Sequence, residues 1–218
     1  MITVTFDSNT YRTVIEPGKY PNDPISSTLY DINAALKNRQ ISGFLSETLA
    51  TLEGIQKVQR GPYFSRIRPK VSFHEKLKTD GAIEIQMSMG TEHSLHPGLH
   101  PIVAEWISKA LGLGFLFLRV PRIGIPRPDK LAKHTFRQEA DSEQNERLER
   151  FGEIEREIND RGLGISKIKT LGENINKRLG IKEPWFYSLD RANGLDEKNK
   201  IIKSIAEWAD GDTAAAHY

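Results

Sequence analysis

Ile2, Val4 and Phe6 alternate with Thr3 and Thr5, and the turn-prone run Asp7-Ser8-Asn9 follows at once. Period-two alternation marks a half-buried strand, so Asp7 is placed at the carboxyl end of a first strand. Ser26 or Ser27 then caps a helix whose apolar positions Leu29, Ile32 and Leu36 keep helical spacing up to Asn38. Ile41 to Leu45 is a short apolar strand, and Ser46 caps a further helix through Leu49, Leu52 and Ile55, with Glu47 in its first turn. Strand, helix, strand, helix with connections this short argues for a parallel sheet covered by helices, and the expected class is α/β.

Composition narrows the chemistry. The 218 residues are 38% hydrophobic and 28% charged, an ordinary globular balance, and 17 glycines and 11 prolines leave no collagen-like or low-complexity reading. Cysteine is absent, which excludes a thiolate nucleophile, a disulfide framework and every cysteine-containing zinc site. Any metal must sit on oxygen or imidazole ligands. The amino-terminal residues carry no basic and apolar leader, and the longest apolar run, Ala110 to Leu118, falls far short of the roughly 18 residues that span a bilayer. The expectation is a soluble, cytoplasmic protein without a membrane partner.

Beyond Arg60 the pattern changes. Ile67, Pro69, Val71 and Phe73 alternate, and Ile83, Ile85, Met87 and Met89 alternate with Glu84, Gln86 and Ser88, which predicts two strands or a long hairpin. Pro101 opens a helix through Val103, Trp106, Ile107 and Ala110 that ends at Gly112 or Gly114, and Phe115 to Val120 reads as a buried strand. Pro121, Pro126 and Pro128 force a loop. Residues 139–160 set Leu148, Phe151, Ile154 and Ile158 on one stripe of a charged helix closed by Gly162. Trp185, Phe186 and Tyr187 anchor a loop on the core, and a last long helix runs from Asp196 to Trp208. No internal repeat is evident.

The net charge of +2 hides strong alternation along the chain. Residues 57–80 hold seven bases, Lys57, Arg60, Arg66, Arg68, Lys70, Lys76 and Lys78, against Glu75 and Asp80. A second basic block contains Arg119, Arg122, Arg127, Lys130, Lys133 and Arg137, and nine carboxylates crowd the segment from Glu139 to Asp160. Each block taken singly is a solvated face. Basic residues interleaved with Tyr63, Phe64 and Phe73 are also what a nucleic-acid groove requires, and Arg60, Arg66, Arg68, Lys70, Arg119, Arg122 and Arg127 are the candidate phosphate contacts.

The carboxyl-terminal run Asp210-Gly211-Asp212-Thr213-Ala214-Ala215-Ala216-His217 places two acids about a glycine and then opens a helix of small residues suited to close packing on a sheet. Ligands of an α/β sheet gather at the carboxyl ends of strands and the amino ends of the following helices, where Asp7, Glu47 and Asp212 are all expected. Carboxylates converging there repel one another unless a divalent cation neutralises them, and oxygen-only ligands point to Mg2+ or Mn2+.

Phe6-Asp7-Ser8-Asn9-Thr10, Ser42-Gly43-Phe44-Leu45-Ser46-Glu47 and Asp210-Gly211-Asp212 with its small-residue helix resemble, in order and in context, the three acidic motifs of PIN-domain nucleases. The resemblance implies a three-layer α/β/α fold with a central parallel sheet. It makes Asp7, Glu47 and Asp212 the ligands of Mg2+ or Mn2+, Asp210 an adjacent catalytic candidate, and Ser8 and Asn9 the polar neighbours of the metal. It implies hydrolysis of RNA phosphodiester bonds, and since many members are toxins, an antitoxin-like protein partner; a homodimer is compatible with it. The likeness covers residues 1–60 and 191–218 as the core, with 101–137 available to add a helix and a strand. Residues 61–190 then form a long insertion of mixed strands and helices, bearing the basic blocks and the acidic helix 139–160. Members of that family continue past the last helix into another strand, so the ending at Tyr218 implies a truncated chain or an incomplete site.

Rival readings stay open. A catalytically silent PIN-like module would bind RNA or a protein through the same surface. The Asp7 motif with Gly211-Asp212 also evokes a haloacid-dehalogenase-like phosphatase, although Asn9 stands where that motif needs its second aspartate. His93, His96 and His100 have a spacing that can hold zinc, but Pro97 and Pro101 break any helix that would align them. His217 reads as helix surface rather than a base, and Gly112-x-Gly114 precedes a strand, so no nucleotide-binding glycine loop is present.

Overall fold

The computed structural model describes residues 2–67, 69–79, 81–91, 96–120 and 135–217. Strand β1 (Ile2–Phe6) pairs in parallel with β2 (Ile41–Ser46), which pairs in parallel with β5 (Leu116–Leu118), giving a small α/β sheet of order β1-β2-β5. Phe6 stands beside Leu45 and Leu45 beside Phe117, so the carboxyl ends of all three strands lie together. The bridge from Phe117 to Phe136 extends the β5 edge by one residue.

Helices α1 (Thr10–Ile15), α2 (Ser26–Lys37) and α4 (Pro101–Gly112) share a core with the sheet, built from Phe6, Tyr11, Leu29, Leu36, Leu45, Ile107 and Phe115 among others. Gly43 belongs to this packing: a Cβ there would lie 2.9 Å from both Leu36 and Phe115, closer than side chains approach. The helix expected after Glu47 is instead a single π-type turn, Leu49–Glu53, closed by the Gly54 N–H on the Leu49 carbonyl at 2.8 Å. Residues 57–66, for which no element was expected, form α3 (Lys57–Arg66), because Tyr63 and Phe64 are drawn into a second core.

That second core gathers α3, α6 (Ile165–Leu179), the 3-10 segment Trp185–Arg191 and α7 (Gly194–His217) around Leu52, Ile168, Ile175, Ile201, Ile205 and Trp208. Helix α6 has its apolar residues Ile168, Leu171 and Ile175 at spacings of three and four, among the four bases Lys167, Lys169, Lys177 and Arg178. Helix α5 (Asp141–Asp160) presents Phe151 and Ile154 to Val120, Ala215 and Ala216.

Helix α7 corrects the sequence expectation most directly. It runs unbroken for 24 residues through Asp210-Gly211-Asp212, where a break and a new helix start were expected. Glycine inside a helix costs about 1 kcal/mol against alanine, but Trp208, Ala209, Asp212, Ala215 and Ala216 are all buried along the helix and hold it together. Gly211 also admits Ile158, whose Cδ1 would lie 3.3 Å from an added Cβ. Asp212 is therefore no N-cap.

Strands β3 (Pro69–Leu77) and β4 (Ile83–Thr91) form the expected antiparallel hairpin, with Phe73 opposite Met87 and Leu77 opposite Ile83. Among the described residues no helix is long and apolar enough to cross a membrane.

Candidate active site

Asp7 leaves the end of β1 and turns the chain into α1. Its Oδ1 accepts the Asn9 N–H at 3.1 Å, the Thr10 N–H at 2.7 Å and the Thr10 hydroxyl at 2.5 Å. The carboxylate is thus an Asx-type brace for the first helix and is exposed at the same time. Ser8, the next residue, hydrogen-bonds Glu53 at the end of the π-type turn.

Across from them stands α7. Asp210 and Asp212 are two residues apart, so at 100° per residue they leave the helix on nearly opposite sides. Asp210 faces the cleft with Ala206, Thr213, Ala214 and His217, and Asp212 faces the interior. Two adjoining cavities of about 740 and 470 Å3 meet at Ser8, Asn9, Glu53 and Asp210; Asp7 lines the smaller, Arg12, Lys57, Arg60 and His100 the larger.

The acids in this cleft feel one another. Burial chiefly pushes the Glu53 carboxyl above the usual range, the Ser8 hydrogen bond opposes it, the charges of Asp210 and Asp7 raise it and Arg60 lowers it. Asp210 is likewise raised, first by burial and then by Asp7 and Glu207, with Arg60 opposing. A cleft that holds three mutually repelling carboxylates favours a proton or a cation. The oxygen donors suit Mg2+ or Mn2+ in kind. As the side chains stand, no three acids or imidazoles among the described residues are placed to share one ion.

The other two expected ligands lie elsewhere. Glu47 is buried; its N–H donates to the Leu118 carbonyl at 2.9 Å and its Oε2 accepts the Val120 N–H at 3.2 Å, so it ties β2 to the end of β5. Asp212 is fully buried and accepts the Thr48 hydroxyl at 2.9 Å. Asp7 and Asp210 are therefore brought together, whereas Glu47 and Asp212 line neither cavity of the cleft. Glu53 is the cleft acid that the sequence did not single out. Its only signal is a carboxylate closing the apolar run Leu49 to Leu52, and its direction depends on the π-type turn, which no residue pattern announces.

The basic candidates divide in the same way. Arg60 is only 6% exposed, and its Nη2 and Nε donate to the carbonyls of Glu53 at 2.7 Å and Ile55 at 3.3 Å, so it clamps the backbone beneath the cleft rather than reaching outward. Arg66 is exposed at the end of α3. Arg119 is half-buried with its guanidinium 4.7 Å from the Phe136 ring centre. Lys70 lies in β3; Arg68, Arg122 and Arg127, like the Pro121 loop and His93, fall outside the described residues. Arg12 and Lys57 are cleft bases that were not among the candidates. His96 contacts the Thr51 carbonyl at 3.3 Å and His100 caps α4, so the two imidazoles serve separate backbone groups.

No protein-family model, curated protein or solved structure matches the chain.

Proposed function

We propose that this chain is a PIN-like, metal-dependent phosphodiesterase acting on RNA, with its site at the cleft between β1, the π-type turn and α7. The observation that carries the reading is the convergence of Asp7, Glu53 and Asp210 in one cleft that Arg12, Lys57 and Arg60 also line. The three-layer α/β/α arrangement belongs to the same proposal; α1, α2 and α4 share one core with the sheet, and α7 contacts β2.

Mg2+ or Mn2+ would be held by Asp7, Asp210 and Glu53 only once these side chains turn toward one ion, and when bound supplies charge neutralisation at phosphorus and a more acidic water. The chain's own residues do the rest. Lys57 and Arg12 attract backbone phosphates to the cleft mouth, and this makes binding salt-dependent. Ser8 orients Glu53, and Arg60 fixes the turn that carries it.

The burial of Glu47 and Asp212 favours a second reading, in which the chain binds RNA or an antitoxin-like protein without cleaving it. One experiment separates the two: a labelled panel of single-stranded and folded RNA incubated with Mg2+, Mn2+ or chelator, comparing the wild type with Asp210→Asn. Metal-dependent cleavage lost in the variant supports the enzyme. Binding without cleavage by a folded wild-type chain supports the silent module.

A further inference from the structure

The β3–β4 hairpin has two unlike faces. Its register puts Val71, Phe73, Leu77, Ile83, Ile85 and Met87 on one side, with Phe73 opposite Met87, Leu77 opposite Ile83 and Glu75 opposite Ile85, and Ser72, His74 and Lys76 opposite Ser88, Gln86 and Glu84 on the other. The apolar six are between 46% and 72% exposed, and the one charge among them is Glu75. A two-stranded hairpin with a bare apolar face is marginal in water and gains independent stability only when that face is covered.

We infer that the apolar face of this hairpin is a self-association surface, which packs face to face on the same hairpin of a second copy about a two-fold axis near Phe73 and Met87. Two features favour a second copy over a different partner. The face is uncharged except for Glu75, so it offers no charge pattern for a partner to complement, and a two-fold lets apolar rows meet apolar rows. Its size also suits a dimer: the six side chains present roughly 600 Å2 per copy, or about 1,200 Å2 across the two-fold, the lower bound of stable specific interfaces. The opposite face, where Lys78 meets Glu84 at 3.3 Å near the turn, stays in water.

The test is sedimentation equilibrium of the full chain across the micromolar range, with Ile85→Lys and, on the opposite face of the same strand, Gln86→Lys. The wild type and Gln86→Lys should dimerise, and Ile85→Lys should raise the dissociation constant about 100-fold or more, because a two-fold interface loses the side chain twice. Circular dichroism checks that each variant keeps its fold. Since the chain has no cysteine, Met87→Cys gives a second measurement: it should form a disulfide-linked dimer on oxidation, and Gln86→Cys should not. A monomeric wild type at the highest concentration, a dimer indifferent to Ile85→Lys, or equal crosslinking through both cysteines overturns the assignment.

Discussion

The hydroxyl of Thr48 donates to Oδ2 of Asp212 at 2.9 Å, joining the residue just before the π-type turn to the carboxyl-terminal part of α7 across 164 positions of sequence. Both residues are buried, so the bond is made where water cannot replace it. Removing a donor from a buried carboxylate costs about 1–3 kcal/mol, more than the bond's net worth when both partners are present. Thr48→Val is expected to lower unfolding stability by that amount in urea titration, and Thr48→Ser to restore most of it. Equal stability in all three proteins would show that α7 is held by its apolar contacts alone.

The acids of the two motif regions should part company under mutation. Asp7→Asn keeps a side-chain oxygen for the Asn9 and Thr10 N–H groups, so the fold is expected to stand while cleavage falls by about 100- to 1,000-fold. Glu47→Gln keeps an acceptor for Val120 but lies outside the cleft, and is expected to leave the cleavage rate unchanged. Initial rates with a saturating divalent cation decide it. Loss of activity in Glu47→Gln with Asp7→Asn intact would place the chemistry at Glu47 rather than at the cleft.

Glu53 and Asp210 both carry raised affinities for a proton, chiefly through burial. A carboxyl raised in the folded state binds its proton more tightly there than in the unfolded chain. Its contribution to stability is fully present below the ordinary carboxylate pKa of about 4 and is lost as pH rises through the folded value. Glu16, lowered by its hydrogen bonds to Lys109 and Lys19, works in the opposite sense: its contribution stands above the ordinary range and is lost as pH falls. Glu53→Gln removes the cleft liability and keeps an acceptor for Ser8. Its melting temperature is expected to exceed the wild type's at about pH 8, with the difference closing near about pH 4. A difference constant across that range would show that no raised carboxyl titrates at the turn.

Much of the secondary structure was legible because it rests on local periodicity. The alternation in Ile2 to Phe6 gave β1, the stripe Leu148, Phe151, Ile154 and Ile158 gave α5, and the paired alternations about Gly81 gave the hairpin. The misses share one physical cause, tertiary contact overriding local preference. Gly211 signals a break, yet burial on both sides of it keeps α7 continuous. Leu49, Leu52 and Ile55 carry helical spacing, yet the turn they make closes with five-residue bonds, and that change of phase decides where Glu53 points. Asp7 and Asp210 could be picked out from their neighbours in sequence. That they share a cleft with Glu53, and that Asp212 faces away from it, depends on the rotation of one long helix.

Gly172 gives a test of how closely the second core is built. It sits in the middle of α6 where a methyl group at its Cα would collide with the Trp185 carbonyl, a backbone atom that cannot swing aside. Alanine is the better helix former by about 1 kcal/mol, so propensity alone predicts that Gly172→Ala stabilises the protein. The collision predicts the reverse, since overpacking against a fixed backbone costs about 1–3 kcal/mol. The sum is a net destabilisation, which chemical denaturation would register as a lower midpoint with an unchanged slope. Gly152→Ala is the matching control: it lies within α5 with nothing near its Cα, and there the helix propensity should show as a gain. If both variants gain stability, the 3-10 segment from Trp185 to Arg191 is free to move off α6, and the packing that brings Leu189 into the core is looser than its close approach to Gly172 requires.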